Sequence, residues 1–187
     1  MDNDIDKWIN KKGLEFFNSL GIKAGQKILD FGCGWGSNAI AVSKIVGPGG
    51  YVYAFEKNRD SIDKLIGTID GKKIENLKTI YAKEKIKTPF SDNELDVVLL
   101  YDVIHDAYFN SRERKSLFRE VSRVIKSGGL LSVYPHHIDG DEIKIIKKEI
   151  TDSGFEYKNK ITGIIIHDSN LITDTVYNFN KGTLSTI

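Results

Sequence analysis

Lys27-Ile28-Leu29-Asp30-Phe31-Gly32-Cys33-Gly34-Trp35-Gly36 runs a short apolar strand straight into three glycines in alternate positions, and Ser37 to Val46 continue with helical periodicity. Glycines belong where the backbone must turn sharply and approach a ligand with no Cβ in the way. The first turn of the helix behind them offers unpaired N–H donors. In a doubly wound sheet, ligands bind beyond the carboxyl ends of the strands, which makes the Gly32 to Gly36 loop the default ligand site.

The same alternation continues on both sides of this unit. Ile5, Trp8, Ile9, Phe16, Phe17 and Leu20 recur at three- and four-residue steps, which predicts an amphipathic helix over 4–20 closed near Gly21. Gly47-Pro48-Gly49-Gly50 is turn chemistry, and the β-rich Tyr51 to Phe55 after it ends at Glu56. A helix over 58–69, strands at Lys78 to Ala82 and Asp96 to Leu100, and a helix over 112–126 stopped by Ser127-Gly128-Gly129 follow. Leu130 to Tyr134 is a fifth strand, Glu142 to Thr151 a helix ended near Gly154, and Phe155 to Ile166 and Leu171 to Phe179 are two further β-rich tracts. The expected fold is α/β, a doubly wound, mostly parallel, seven-stranded sheet covered on both faces, its last pair an antiparallel edge hairpin. Residues 1–187 read as a single domain, with 1–25 as N-terminal helix and lead-in and 26–187 as the sheet and its helices.

Hydrophobic residues make up 40% of the chain and charged residues 28%, the balance of a folded protein and not of a disordered one. Lysine plus arginine number 27 against 26 acids, a net charge of +1 with no basic stripe, so nucleic acid is not an expected partner. Apolar runs such as Val97 to Leu100 and Ile164 to Ile166 fall far short of the roughly 18 residues of a membrane span. The acidic start Met1-Asp2-Asn3-Asp4 lacks a signal-peptide core, and Cys33 is the single cysteine, so a reducing, cytoplasmic setting is expected.

Two carboxylates narrow the ligand. Glu56, at the end of the second strand, can accept both hydroxyl protons of a ribose, which points to an adenosine-containing molecule. The glycine spacing is G-x-G-x-G and departs from the dinucleotide fingerprint, whose sixth position here is Ser37. Asp30, just before the loop, would repel a pyrophosphate and could support a cationic methionine group, which favours S-adenosylmethionine.

Ile28-Leu29-Asp30-Phe31-Gly32-Cys33-Gly34-Trp35-Gly36, with Ala54-Phe55-Glu56, Leu95-Asp96-Val97-Val98-Leu99-Leu100, and Leu117-Phe118-Arg119-Glu120-Val121 through Lys126-Ser127-Gly128-Gly129-Leu130, resembles the class I S-adenosylmethionine-dependent methyltransferase family over nearly the whole chain. The resemblance implies that Gly32, Cys33 and Gly34 line the methionine part of the cofactor, Asp30 holds its amino group, Glu56 holds the ribose and Lys57 flanks the adenine. Tyr101, just after the fourth strand, is also expected among the cofactor residues. Where the family often has a Gly-Asp pair facing the adenine amine, this chain has Ala82-Lys83-Glu84, and Glu84 is the expected substitute. Cys33 is expected to pack in the loop and not to act as a nucleophile.

The acceptor is less legible. Tyr101-Asp102-Val103-Ile104-His105 after the fourth strand lacks the Asn/Asp-Pro-Pro-aromatic turn of amino methyltransferases acting on bases or glutamine. Pro135-His136-His137-Ile138-Asp139 lacks the Asp-Asn pair of the Mg²⁺-binding catechol type, so Asp102 stands alone. All four histidines, His105, His136, His137 and His167, are expected after strand carboxyl ends, with His105, His136 and His137 as candidate bases near the acceptor. No metal is expected, because His136 and His137 are adjacent and off helical ligand spacing. Trp8, Phe16 and Phe17 are candidates for an apolar acceptor wall, with the N-terminal helix as a lid. A small-molecule acceptor is the leading expectation. Alternatives are a protein or RNA methyltransferase with an open face, or a noncatalytic cofactor-binding partner subunit. Oligomeric state is not legible.

Overall fold

The computed structural model describes residues 3–138 and 140–182. Asp139, the acidic start at Met1 and Asp2, and residues 183–187 lie outside the described residues. Seven strands form one sheet in the order β3-β2-β1-β4-β5-β7-β6. They are β1 (Lys27–Phe31), β2 (Tyr51–Glu56), β3 (Leu77–Tyr81), β4 (Leu95–Tyr101), β5 (Ile125–Tyr134), β6 (Phe155–His167) and β7 (Asn170–Lys181). The first five run parallel, and β7 pairs antiparallel with both β5 and β6. The doubly wound sheet and its terminal hairpin are as expected.

The central strands are buried on both faces, so their apolar runs divide by alternation into two cores. Val97, Leu99 and Tyr101 of β4 face one layer with Ile28, Val42 and Leu65, while Val98 and Leu100 face the other with Leu29, Phe118 and Ile150. The first layer carries α2 (Gly13–Ser19), α3 (Ser37–Val46) and α4 (Arg59–Lys72), and the second α5 (Ser111–Val124) and α6 (Gly140–Thr151).

The N-terminal helix forms, with a short α1 (Asp4–Lys7) running through a π-helical turn (Trp8–Lys12) into α2. Gly13 permits this, because a Cβ there would lie 2.8 Å from the Trp8 carbonyl oxygen and 2.9 Å from its ring. Trp8 and Phe17 are fully buried, Phe16 nearly so, and Trp8 Nε1 donates to Asn38 Oδ1 at 3.1 Å. These three aromatics therefore dock the helix on α3 and form neither an acceptor wall nor a lid.

Two boundaries shift for local reasons. α4 runs on to Lys72 because Gly67 and Gly71 face open space and break nothing, and it ends on Lys73 at φ 51°. α5 stops at Val124, short of the expected 126, because Ile125 is buried against Leu95 and begins β5, while Lys126 pairs with Asp96 at 2.6 Å.

The hairpin outruns its neighbour. β7 pairs with β5 only from Leu130↔Asn180 to Val133↔Tyr177, so the remainder of β7 and its partner in β6 project beyond the carboxyl edge of the sheet. Asp168 and Ser169, both at positive φ, form the two-residue tip, as hairpin twist demands. That projection carries His167 over the end of β4.

Candidate active site

The glycine loop is tied to β2 by its own backbone. Gly32 and Cys33 N–H both donate to the Phe55 carbonyl, at 2.8 and 3.2 Å, and Gly36 N–H closes the turn on the Cys33 carbonyl at 2.9 Å. Gly32, Gly34 and Gly36 all sit at positive φ, the region that favours glycine. Nothing lies within 4 Å of where a Gly34 side chain would begin, so that face of the loop is open to a ligand.

Glu56 closes β2 beside this loop. Its Oε1 accepts the Lys57 and Asn58 N–H groups at 2.8 Å each and its Oε2 accepts the Gly34 N–H at 3.0 Å. A carboxylate oriented by three backbone donors is fixed at the mouth of a cleft of about 490 Å³, whose lining includes Gly32, Gly34, Glu56, Lys57 and Tyr101. Lys57 Nζ also stands 4.8 Å over the Tyr108 ring in the same cleft.

Asp30 lies beneath the loop, 2% exposed, and its Oδ2 has no hydrogen-bond partner. Burial pushes its pKa up to about 7, the nearby Glu56 charge adds to the rise, and the Ala39 backbone N–H opposes it. An orphaned carboxyl oxygen under an open glycine turn suits an ammonium-bearing ligand such as the methionine end of S-adenosylmethionine. The Cys33 thiol is pushed above its usual range by burial and then by the charges of Asp30 and Glu56, so it is no nucleophile.

Glu84 is not brought to the cleft. It is exposed and lines a separate groove with Arg119 and Arg123, whereas Ala82 and Lys85 of the same segment reach the cleft beside Glu56. The expected adenine contact from Glu84 is corrected on that ground: the segment after β3 turns its side chain away.

A second space of about 430 Å³ opens on the far side of the loop and shares Gly32, Gly34, Tyr101 and Asp102 with the cleft. Cys33, Trp35, Asn38, Tyr134, Ile166 and His167 complete much of its wall. Of the four histidines His167 lines it, and the others reach it through contacts with His167 or Asp102. His105 Nε2 is 3.9 Å from Asp102 Oδ1, and His167 Nδ1 is 3.6 Å from Asp102 Oδ2. His136 Nδ1 lies 2.9 Å from Asp174 Oδ2 and 2.8 Å from the Tyr134 hydroxyl, which donates to the same Asp174 oxygen at 3.0 Å. His137 stacks edge-on to His136, ring centroids 4.1 Å apart. Burial raises the pKa of Asp102 against the pull of His167, His105, His137 and His136. Asp174 is desolvated too, yet hydrogen bonds from His136, the Thr175 N–H and Tyr134 hold it below the usual range.

Several residues at these sites carried no sequence signal. Asp174 and Tyr134 reach His136 only through the β5–β7 pairing. Arg114, 4% exposed, binds Glu149 at 3.1 Å and Asp106 at 2.5 Å, anchoring the segment after β4 that contributes Val103, Tyr108 and Phe109 to the cleft.

Comparison with known proteins agrees with this architecture. A family described as "Methyltransferase domain" matches residues 22–182. A demethylmenaquinone methyltransferase of Lactobacillus johnsonii is 25% identical over 169 residues, covering 90% of this chain and 68% of its own length. One from Staphylococcus aureus is 31% identical over 112 residues, 60% of this chain and 44% of that protein. An Aquifex aeolicus structure described as a SAM dependent methyltransferase superposes with TM-score 0.71 at 18% identity, covering 92% of this chain and 90% of that one. Aeropyrum pernix fibrillarin, solved with natively bound S-adenosyl-L-methionine, superposes with TM-score 0.63 at 17% identity, covering 84% and 67%. With the family matched from ahead of the first strand to the end of the last, the chain belongs to the methyltransferase-domain family and is an S-adenosylmethionine-dependent methyltransferase.

Proposed function

We propose that this chain methylates a small organic acceptor held in the groove between the glycine loop and the β6–β7 hairpin. The observation that supports this most directly is the pair of adjoining spaces, about 490 and 430 Å³, that share Gly32, Gly34, Tyr101 and Asp102. Glu56 is the group to receive the ribose hydroxyls. Gly32, Cys33 and Gly34, with Asp30 beneath, receive the methionine part, and Lys57 flanks the adenine side. When bound, the cofactor supplies an electrophilic methyl group on a sulfonium. The protein's work is then alignment of an in-line displacement, plus removal of a proton where the acceptor carries one.

The groove also argues for the acceptor's chemistry. Its lining includes Asp102 and Asp168, with no lysine or arginine among the described residues, so it suits a neutral or cationic molecule and repels a phosphate backbone. That favours a small molecule over RNA. Demethylmenaquinone, the compound in the names of the bacterial relatives, is the first acceptor to try. The imidazoles of His105, His136 and His137 are the candidate groups to take that proton.

The test is a screen of small acceptors, a peptide library and RNA that follows release of S-adenosylhomocysteine, repeated with His105→Ala, His136→Ala and His137→Ala. The expected result is turnover of a small acceptor, with kcat lowered about 10²- to 10⁴-fold by the critical alanine while the cofactor Kd stays within a few-fold. Release driven only by RNA or peptide would refute the small-molecule reading. Unchanged kcat and KM in all three variants would remove the histidines from proton transfer.

A further inference from the structure

Three imidazoles from two distant parts of the chain meet beside the groove. His136 and His137 follow β5 and His167 ends β6, yet one ring nitrogen from each lies within 4.8 Å of the others. Ring centroids are 3.8 Å apart for His136 and His167, 4.1 Å for His136 and His137, and 5.3 Å for His137 and His167. We propose that His136, His137 and His167 form a binding site for one divalent transition-metal ion of the zinc type.

The donor chemistry selects the ion. Imidazole nitrogen suits zinc, copper, nickel and iron, while magnesium and calcium take oxygen donors. Zinc–nitrogen bonds of about 2.0–2.1 Å in a tetrahedron set ligand nitrogens roughly 3.3–3.4 Å apart. With the ligand nitrogens within 4.8 Å of one another, the exposed His137 is the ring free to turn toward that spacing.

The surroundings are those of a held ligand set. His136 Nδ1 is engaged by Asp174 and Tyr134, which fixes the ring and leaves Nε2 for a metal, the carboxylate–histidine arrangement that supports metal ligands. Asp102 Oδ1 is buried with no hydrogen-bond partner, while Oδ2 of the same carboxylate is 3.6 Å from His167, so a further oxygen donor stands beside the cluster. Asp102 at φ 55° and His137 at φ 64° both occupy the left-handed region at an energetic cost, and both belong to this cluster.

Three nitrogens leave a coordination position open, as in catalytic zinc sites. If the groove holds the acceptor, as the methyl-transfer reading has it, that position can take the acceptor's hydroxyl, thiol or amine. The metal assignment itself stands without that reading.

The experiment is calorimetry on the tag-free full chain, stripped by chelator, titrated with zinc chloride, with magnesium chloride as control and cobalt chloride followed by its visible absorption. One zinc per chain is expected, with no heat from magnesium. His167→Ala, and His136→Ala combined with His137→Ala, should each lose zinc affinity by 100-fold or more. Asp174→Asn, which keeps all three ligands and tests the assignment should those variants misfold, should weaken zinc about 10- to 100-fold. Circular dichroism and S-adenosylmethionine affinity report the fold in each case. Absence of stoichiometric zinc binding by the folded wild type, or binding that survives the histidine substitutions, overturns the proposal. Zinc binding without cofactor binding would instead count against the methyl-transfer reading and leave the metal site standing.

Discussion

Asp30→Asn should stabilise the ligand-free protein at pH 8 and leave it nearly unchanged in acid. The carboxyl is 2% exposed, has one oxygen without a partner, and titrates at about 7 in the folded chain against 3.8 in the unfolded one. Below 3.8 both states hold the proton and the group contributes no difference. From 3.8 to about 7 only the unfolded chain releases it, so stability falls with rising pH at about 1.4 kcal/mol per pH unit; above 7 both are ionised and the slope vanishes. The wild type therefore gives up on the order of 4 kcal/mol across the range, about 3 kcal/mol of it between pH 5 and 8. Asparagine cannot ionise and escapes that loss.

Urea denaturation of both proteins at pH 5, 6, 7 and 8 measures the effect, and the difference between them cancels the histidines, which neither substitution touches. The gap should open steadily from pH 5 and level off above 7. Cofactor binding should move the other way, because an ammonium beside Asp30 favours its ionised form. Wild-type affinity should rise toward pH 7 with proton release, while the asparagine variant binds more weakly and without that pH dependence. Two stability curves that stay parallel from pH 5 to 8 would show that Asp30 is ionised in the fold throughout, and the argument from its burial would fail.

Gly34→Val should leave stability within about 2 kcal/mol, since a Cβ there meets no atom within 4 Å, while the left-handed φ of 53° carries a strain of that order. Calorimetry should show cofactor binding nearly abolished; normal binding would put the ligand elsewhere. Glu56→Ala frees the N–H groups of Gly34, Lys57 and Asn58 and removes the ribose acceptor, each charge-assisted bond being worth about 1.5–3 kcal/mol. Its cofactor Kd should rise at least tenfold, and an unchanged Kd would refute the ribose assignment. Glu149→Ala takes one charge-assisted partner from the buried Arg114, which keeps Asp106 and Glu142, at a cost of about 1.5–3 kcal/mol in urea denaturation, with weaker cofactor binding as the anchored segment loosens. A loss below about 1 kcal/mol would show that Asp106 and Glu142 suffice for Arg114.

What was legible in the sequence was whatever depends on near neighbours. The Leu95 to Leu100 run reads as a strand buried on two faces because every position has a core to enter, and the Gly32 to Gly36 turn reads as a ligand loop because its spacing alone sets its backbone. Glu56 follows from its place at the end of β2. The start of β5 is illegible because Ile125 continues the helical period of α5 and only the pairing with Leu95 makes it a strand. Glu84 failed for the same kind of reason: its distance from the glycine loop depends on how residues 82–90 turn, and no local pattern encodes that.

The histidines show where such reading stops. Adjacent His136 and His137 carry no metal-ligand spacing of their own, and the third ring of the cluster, His167, comes from β6. It arrives only because β6 and β7, at 13 and 12 residues, are longer than the short Leu130 to Val133 ladder that joins β7 to β5. The excess has to project past the sheet edge, and with β7 antiparallel it projects at the carboxyl ends of β4 and β5, where Asp102 and His136 lie. Strand lengths are visible in the sequence, but the register that turns length into overhang is a tertiary property. Shortening the hairpin by one paired residue on each strand would draw His167 back and flip it to the other face of the sheet, leaving both the cofactor loop and the His136–Asp102 edge intact but unjoined.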